Sequence, residues 1–349
     1  MGLIHPVDFE AYRRDEARRQ SFRRMRRLRE RLRADDGPAP LTLRTFGGDS
    51  DIVVAFDSKT VSCRAAVLGM LDHVDLERIA ILAPFGLDDP DLDLRDGHGP
   101  DRIVASTDDL ADAVSDVAVV LSAGAHGPAG AVGHDLMTRT GGSSIVVQHG
   151  MLLPQAAPLP SGVTLAAWSD ADGAFWRSGR DDVEVRVVGS ELLRRAVAAR
   201  TDPVPIDATP VYCGALHGTE LPRFQIERVA RSFCRATGAR YRPHPREVDF
   251  QSRLTHLVWK RLGIRFAPAD RPLLEVGAPV VSMWSTAILE AAAAGLPAWV
   301  YHPDPPAWLS EVWTRYDLSE WGSDPTPVPA IAQGEPAERL AELVVESAR

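Results

Sequence analysis

Lysine is nearly missing from this chain: Lys59 and Lys260 are the only two among 39 basic residues, and the rest are arginine. So strong a bias reflects coding background, and arginine abundance by itself therefore carries no function. Cysteine is scarce as well. Cys63, Cys213 and Cys234 make an odd count with no Cys-x-x-Cys pair, which argues against a disulfide framework or a zinc site. No stretch approaches eighteen consecutive apolar residues, so no membrane-spanning helix is expected. The N-terminus lacks the apolar core of a signal peptide. A formal net charge of -9 argues against bulk binding of nucleic acid. What these absences leave is the expectation of a cytoplasmic enzyme.

The chain has 349 residues, 45% hydrophobic and 25% charged, enough for two domains of about 150 residues each. Residues 8–33 predict a helix with eleven arginines from Arg13 to Arg33 and a thin stripe of Phe22, Met25, Leu28 and Leu32. Such a helix either meets an anionic surface or docks on the first domain with a solvated basic face. Asp35 to Pro40 breaks it. Short strands rich in Val and Ile then alternate with helices: strands at 51–56, 78–83, 117–122, 144–148, 165–169 and 183–189, helices at 62–73 and 107–114. That alternation predicts a parallel sheet covered on both faces. A Pro-rich stretch at 199–205 resets the pattern. The second half follows with strands at 209–213, 240–242, 264–266, 280–282 and 298–301, and helices at 225–237, 249–262 and 286–294. The expected division is a basic helix (1–36), an acceptor domain (37–200), a nucleotide-donor domain (201–334) and a closing amphipathic helix (335–349). In fold class this is α/β, with two Rossmann-like domains facing across a cleft: the GT-B arrangement.

Two motifs carry the chemistry. Tyr241-Arg242-Pro243-His244-Pro245-Arg246-Glu247 leaves a strand edge, and Ser285-Thr286 opens a helix with Glu290 near its start. Strand ends and helix N-termini bind phosphate, because free N–H groups and the helix dipole favour anions. Arg242, His244 and Arg246 are phosphate-binding candidates; His244 could also protonate a leaving nucleotide. Ser285 and Thr286 could serve the phosphate or simply cap their helix. Glu290 would hold a ribose or sit as a routine acid near the helix start. Gly214 opens a loop after a strand and could approach a base or phosphate.

In the first half, Val147-Gln148-His149-Gly150 puts His149 at a strand end facing the cleft, where it could act as general base. Asp57, just past the first strand, is the rival base or else a cap of the helix that follows it. Gly124, Gly127, Gly130 and Gly133 with His126 predict a flexible loop, since they lack the spacing of a dinucleotide or P-loop site. Asp91-Leu92-Asp93 has the spacing of a metal-binding pair but reads as a solvated loop. No metal or other cofactor is expected.

His149-Gly150, Arg242-Pro243-His244-Pro245 and Ser285-Thr286 together resemble GT-B transferases of bacterial surface polymers. The pattern is similar to the CDP-glycerol glycerophosphotransferases, bacterial sialyltransferases and capsule Kdo transferases. The resemblance implies a cytidine nucleotide donor (CMP- or CDP-linked), His149 as base, and a donor phosphate held by His244, Ser285 and Thr286. It departs where Val-Gln precedes His149 in place of a longer aromatic motif, and no acidic pair with Gly matches the sialyltransferase base. The expected function is transfer of a sugar from such a donor to a cell-surface glycopolymer or lipid-linked acceptor, without metal, on the inner face of the plasma membrane. Alternatives are transfer of glycerol phosphate, nucleotide-sugar 2-epimerisation, and a non-catalytic scaffold subunit.

Overall fold

The computed structural model describes residues 2–19, 40–92, 94, 97, 99–199, 203–268, 271–330 and 334–349. Helix α1 (Phe9–Arg19) opens the chain. The apolar stripe expected from Phe22 to Leu32 lies outside the described residues, as does Asp93 of the Asp-x-Asp pair.

The first sheet has eight strands: β1 (Leu41–Thr45), β2 (Ile52–Ala55), β3 (Ile79–Ala83), β4 (Arg102–Val104), β5 (Val119–Ser122), β6 (Ser143–Val147), β7 (Thr164–Ala167) and β8 (Glu184–Val187). Their order is β4-β1-β3-β2-β5-β6-β7-β8. Every residue of β2, β3 and β5 is buried, which is why they read as unbroken apolar runs. Alternate residues feed opposite faces. Ile52 and Val54 pack on one side with Ile79 and Ile81, while Val53 and Ala55 pack on the other with Leu82 and Val120.

The expected parallel sheet needs one correction. β1 pairs antiparallel with both β3 and β4, and neither β1 nor β4 was anticipated. β4 has just three residues, two of them exposed, too little pattern to stand out.

The second sheet is β10-β9-β11-β12, all parallel, from β9 (Val211–Cys213), β10 (Arg240–Arg242), β11 (Val280–Ser282) and β12 (Ala298–Val300). Ile264–Phe266, expected as a strand, is reduced to a single bridge between Phe266 and Tyr241. The helices after α1 are α2 (Val61–Leu68), α3 (Thr107–Ala113), α4 (Pro128–Thr140), α5 (Asp170–Arg177), α6 (Glu191–Ala198), α7 (Arg223–Thr237), α8 (Phe250–Arg261), α9 (Ala287–Ala293), α10 (Ala307–Arg315) and α11 (Pro336–Ser347).

A second correction concerns the glycine-rich segment. It is no loop beyond residue 127: Pro128 begins the thirteen-residue α4, and Gly141 at φ 79° ends it in a left-handed C-cap. At the chain's end, α11 turns back to the first domain, seating Leu340, Ala341, Leu343 and Val344 against Ile52, Val54, Val67 and Met70.

Candidate functional site

In each sheet the strand order reverses direction at one point, and the C-terminal strand ends there form a crevice. In the first sheet that point lies between β2 and β5, in the second between β9 and β11.

Asp57 leaves β2 and accepts hydrogen bonds from the Ala129 amide (2.9 Å) and the Gly130 amide (2.8 Å) in the first turn of α4. Both its oxygens are thus engaged in capping, and on a different helix from the one expected: α2 is capped by Thr60. Burial raises the Asp57 carboxyl above its ordinary range, against the two amides and His126. Gly124 follows β5 at φ +134°, a conformation other residues rarely adopt, and a Cβ there would lie 2.9 Å from His126 Nδ1. The His126 imidazole is therefore folded back over that turn.

His149 follows β6. Its Nδ1 is buried and has no hydrogen-bond partner among the described residues. Burial, then the nearby His126 and Arg246, push its pKa down to about 4, so the ring is neutral at pH 7 with a lone pair available.

The residue before it sets its position. Gln148 is 1% exposed. Its Nε2 donates to Asp172 Oδ2 and to the Gly150 carbonyl (3.1 Å each), and its Oε1 accepts from the Trp168 amide (2.9 Å). Asp172 in turn accepts from Tyr316 Oη (2.6 Å), and that hydroxyl accepts from the Leu152 amide (2.8 Å). Tyr316 closes α10, so the second domain bolts the turn that carries His149. A cavity of about 380 Å3 opens beside this bolt, lined by Trp168, Asp172, Leu193, Leu289, Arg315 and Tyr316.

On the second domain, His244 stacks on His217 with ring centres 3.7 Å apart and planes 18° off parallel. The Arg246 amide donates to His244 Nδ1 (3.1 Å), which leaves Nε2 as the protonated nitrogen. Burial first, and Arg246 as well, bring its pKa down to about 4 despite Glu247. Glu247 is the buried post of this lobe. Its carboxylate accepts from Tyr241 Oη (3.0 and 3.1 Å), the Leu216 amide (3.0 Å) and His256 Nε2 (2.9 Å), pinning the loop after β9 to the loop after β10. Gly214 serves that packing and needs no ligand to explain it: a Cβ there would collide with Tyr241 Oη.

Arg242 spends its guanidinium on the carbonyls of Pro268 (2.5 Å) and Arg271 (2.6 Å). Glu290 is lifted above the ordinary carboxyl range by burial, with Arg242 opposing. Ser285 Oγ accepts from the Ala287 amide (3.2 Å). Thr286 makes no cap. Its backbone is helical, and its Oγ1 accepts from the Met151 amide (3.0 Å) of the first domain. Of the two readings open for Thr286, the cap is replaced by a bridge between domains.

Arg246 is exposed yet acts electrostatically on His126 and His149 across the cleft and on Glu220 beside it. Glu220 Oε2 is buried without a hydrogen-bond partner among the described residues. Tyr12 of α1 senses both Glu220 and Arg246, and burial lifts its hydroxyl to about 12. Arg246 thus links His149 and His126 of the first domain to Glu220 of the second, and His217 stacks on His244, two residues before Arg246. Among the described residues, no group of three or more His, Cys, Asp or Glu could hold a metal ion.

No known family profile matches the sequence, and no curated protein matches it. Among solved structures, the UDP-GlcNAc 2-epimerase of Methanocaldococcus jannaschii, in complex with UDP-GlcNAc and UDP, superposes with a TM-score of 0.52 at 10% identity. The match covers 84% of this chain and 99% of that one. The fold is GT-B. AviGT4, a glycosyltransferase involved in avilamycin A biosynthesis, matches at a TM-score of 0.38 and 18% identity, covering 70% of this chain and 78% of that one.

Proposed function

We propose that this protein is a transferase that takes a sugar from a nucleotide-activated donor and passes it to a hydroxyl of a glycopolymer or lipid-linked acceptor. One observation carries the reading. A neutral imidazole with an unpartnered nitrogen, His149, stands across a GT-B cleft from Arg246 and the stacked His244–His217 pair. The division into an acceptor domain (37–200) and a donor domain (201–334) belongs to the same proposal.

In this scheme the donor phosphate lies among Arg246, the Nε2–H of His244 and the turn at Ser285, with Glu290 for the ribose. The acceptor enters from the first domain, and the cavity beside Trp168 has room for it. His149 takes the proton of the attacking hydroxyl as that oxygen bonds to the anomeric carbon and the nucleotide departs. A base of pKa about 4 is weak, but a bound phosphate raises it, because an anion nearby favours the imidazolium. The fixed donors stabilise charge on the departing phosphate, and preorganised electrostatics of this kind usually supplies most of the rate enhancement. The His-Gly and His-Pro motifs make a cytidine nucleotide the first donor to test.

A second reading is favoured by the fold likeness to a nucleotide-sugar 2-epimerase, which would make uridine the base and require no acceptor. Calorimetric titration of CMP, CDP, UDP and GDP decides the donor. A selective response lost in His244→Ala supports the cradle, and no response to any nucleotide refutes both readings. Incubating the selected sugar donor alone then separates them, since an epimerase converts it and a transferase leaves its sugar unchanged.

A further inference from the structure

Helix α8 is amphipathic in the wrong sense. Its inward face carries Ser252, Thr255, His256 and Trp259, whereas Phe250, Leu254, Leu257 and Val258 recur at helical spacing on the outward face. Phe250 is 82% exposed, Leu257 57% and Leu254 50%. Val248 before the helix and Leu262 after it extend the strip, and Phe224 on α7 widens it. Seven of the large apolar side chains exposed on the described surface therefore share one place. Scattered apolar residues need no explanation, but a contiguous group does.

Charge says what covers it. α7 lies alongside α8: Arg223 Nη2 donates to Ser252 Oγ (3.2 Å), and Thr255 Oγ1 donates to Glu227 (3.1 Å). The outward stripe of α7 is Phe224, Arg228, Arg231 and Arg235. α8 adds exposed Arg253, Lys260 and Arg261. Glu227 is the sole acid within the two helices, and it is already bonded to Arg223 (2.9 Å). On a chain of net charge -9, this face is cationic around an apolar centre. A second copy docked by two-fold symmetry would set the same basic rim against itself.

We propose that the α7–α8 face seats the protein on an anionic lipid bilayer, with Phe250, Leu254 and Leu257 entering the interface and the arginines meeting lipid phosphates. This seat is separate from the cleft and does not depend on the activity proposed for it. It also differs from the seat first expected, the leading basic helix.

The test is co-sedimentation of the full chain with vesicles of phosphatidylcholine alone and of phosphatidylcholine with phosphatidylglycerol. Binding to the anionic vesicles only, weakened by salt, is expected. The variant Phe250→Ser, Leu254→Ser, Leu257→Ser should bind roughly ten-fold or more weakly, as should Arg228→Glu with Arg231→Glu. These side chains are exposed, so unchanged circular dichroism and nucleotide binding should accompany the loss. Equal binding to both vesicles, or none, overturns the proposal. So does binding that survives both variants but is lost on reversing Arg23, Arg24, Arg26 and Arg27, which would return the role to the leading segment. A dimer in light scattering that the serine variant dissociates also overturns it, in favour of a second copy.

Discussion

His149 and His244 hold their neutral forms because the fold takes them out of water. Both folded values, about 4, lie below the ordinary imidazole value near 6.5. The unfolded chain therefore binds more protons between those limits, and the stability these residues contribute is full above pH 6.5 and lost as pH falls toward 4. Urea midpoints measured across that range should fall with pH, and more gently in His149→Gln. Imidazole signals followed by NMR should place His149 near 4 in the free protein and higher once a nucleotide is bound. Gly214→Ala forces a methyl against Tyr241 Oη and its Glu247 network, and should cost about 1–3 kcal/mol in denaturant unfolding. At this scale the sequence is read well for residue type and poorly for partner. That His149 and His244 each follow the end of a strand was legible in the sequence. That Thr286 bridges to Met151, that Asp57 caps α4, and that Arg242 holds backbone carbonyls are long-range facts with no local signature.

Among the elements, Tyr316 at the end of α10 shows most. One hydroxyl joins Asp172, behind Gln148, to the Leu152 amide, so a helix of the second domain steadies a turn of the first. Tyr316→Phe leaves the Leu152 amide and Asp172 Oδ1 without that partner and should cost about 1–3 kcal/mol. If the steadied turn matters to catalysis, kcat should fall while nucleotide affinity measured by calorimetry holds. Periodicity revealed the apolar strands of the sheets because their burial is nearly complete, and it revealed α8 without its inversion. It missed the eight-residue α5 and α6, α10, which starts directly after a run of prolines, and α4, whose glycines mimic a loop until Pro128 and Gly141 are taken as its start and stop.

At the scale of the molecule, the return of α11 to the first domain was the hardest feature to foresee. An amphipathic terminal helix was legible in the sequence, but which of two cores it joins depends on the path of the chain through the second domain. Leu340 is buried among Ile52, Val54 and Met70, so Leu340→Ala should cost about 2–5 kcal/mol by urea unfolding. At the other end, Leu3 is buried beside Leu152 and Trp176, and the Ile4 amide donates to the Pro154 carbonyl (2.8 Å). Both ends of the chain are thus seated on one lobe, and the other hangs from two crossings, one after α6 and one before α11. A body on a single tether can swivel about any axis. On two tethers its freedom is cut to the line through both, and the bonds that Tyr316 and Thr286 make to the first lobe oppose even that turn.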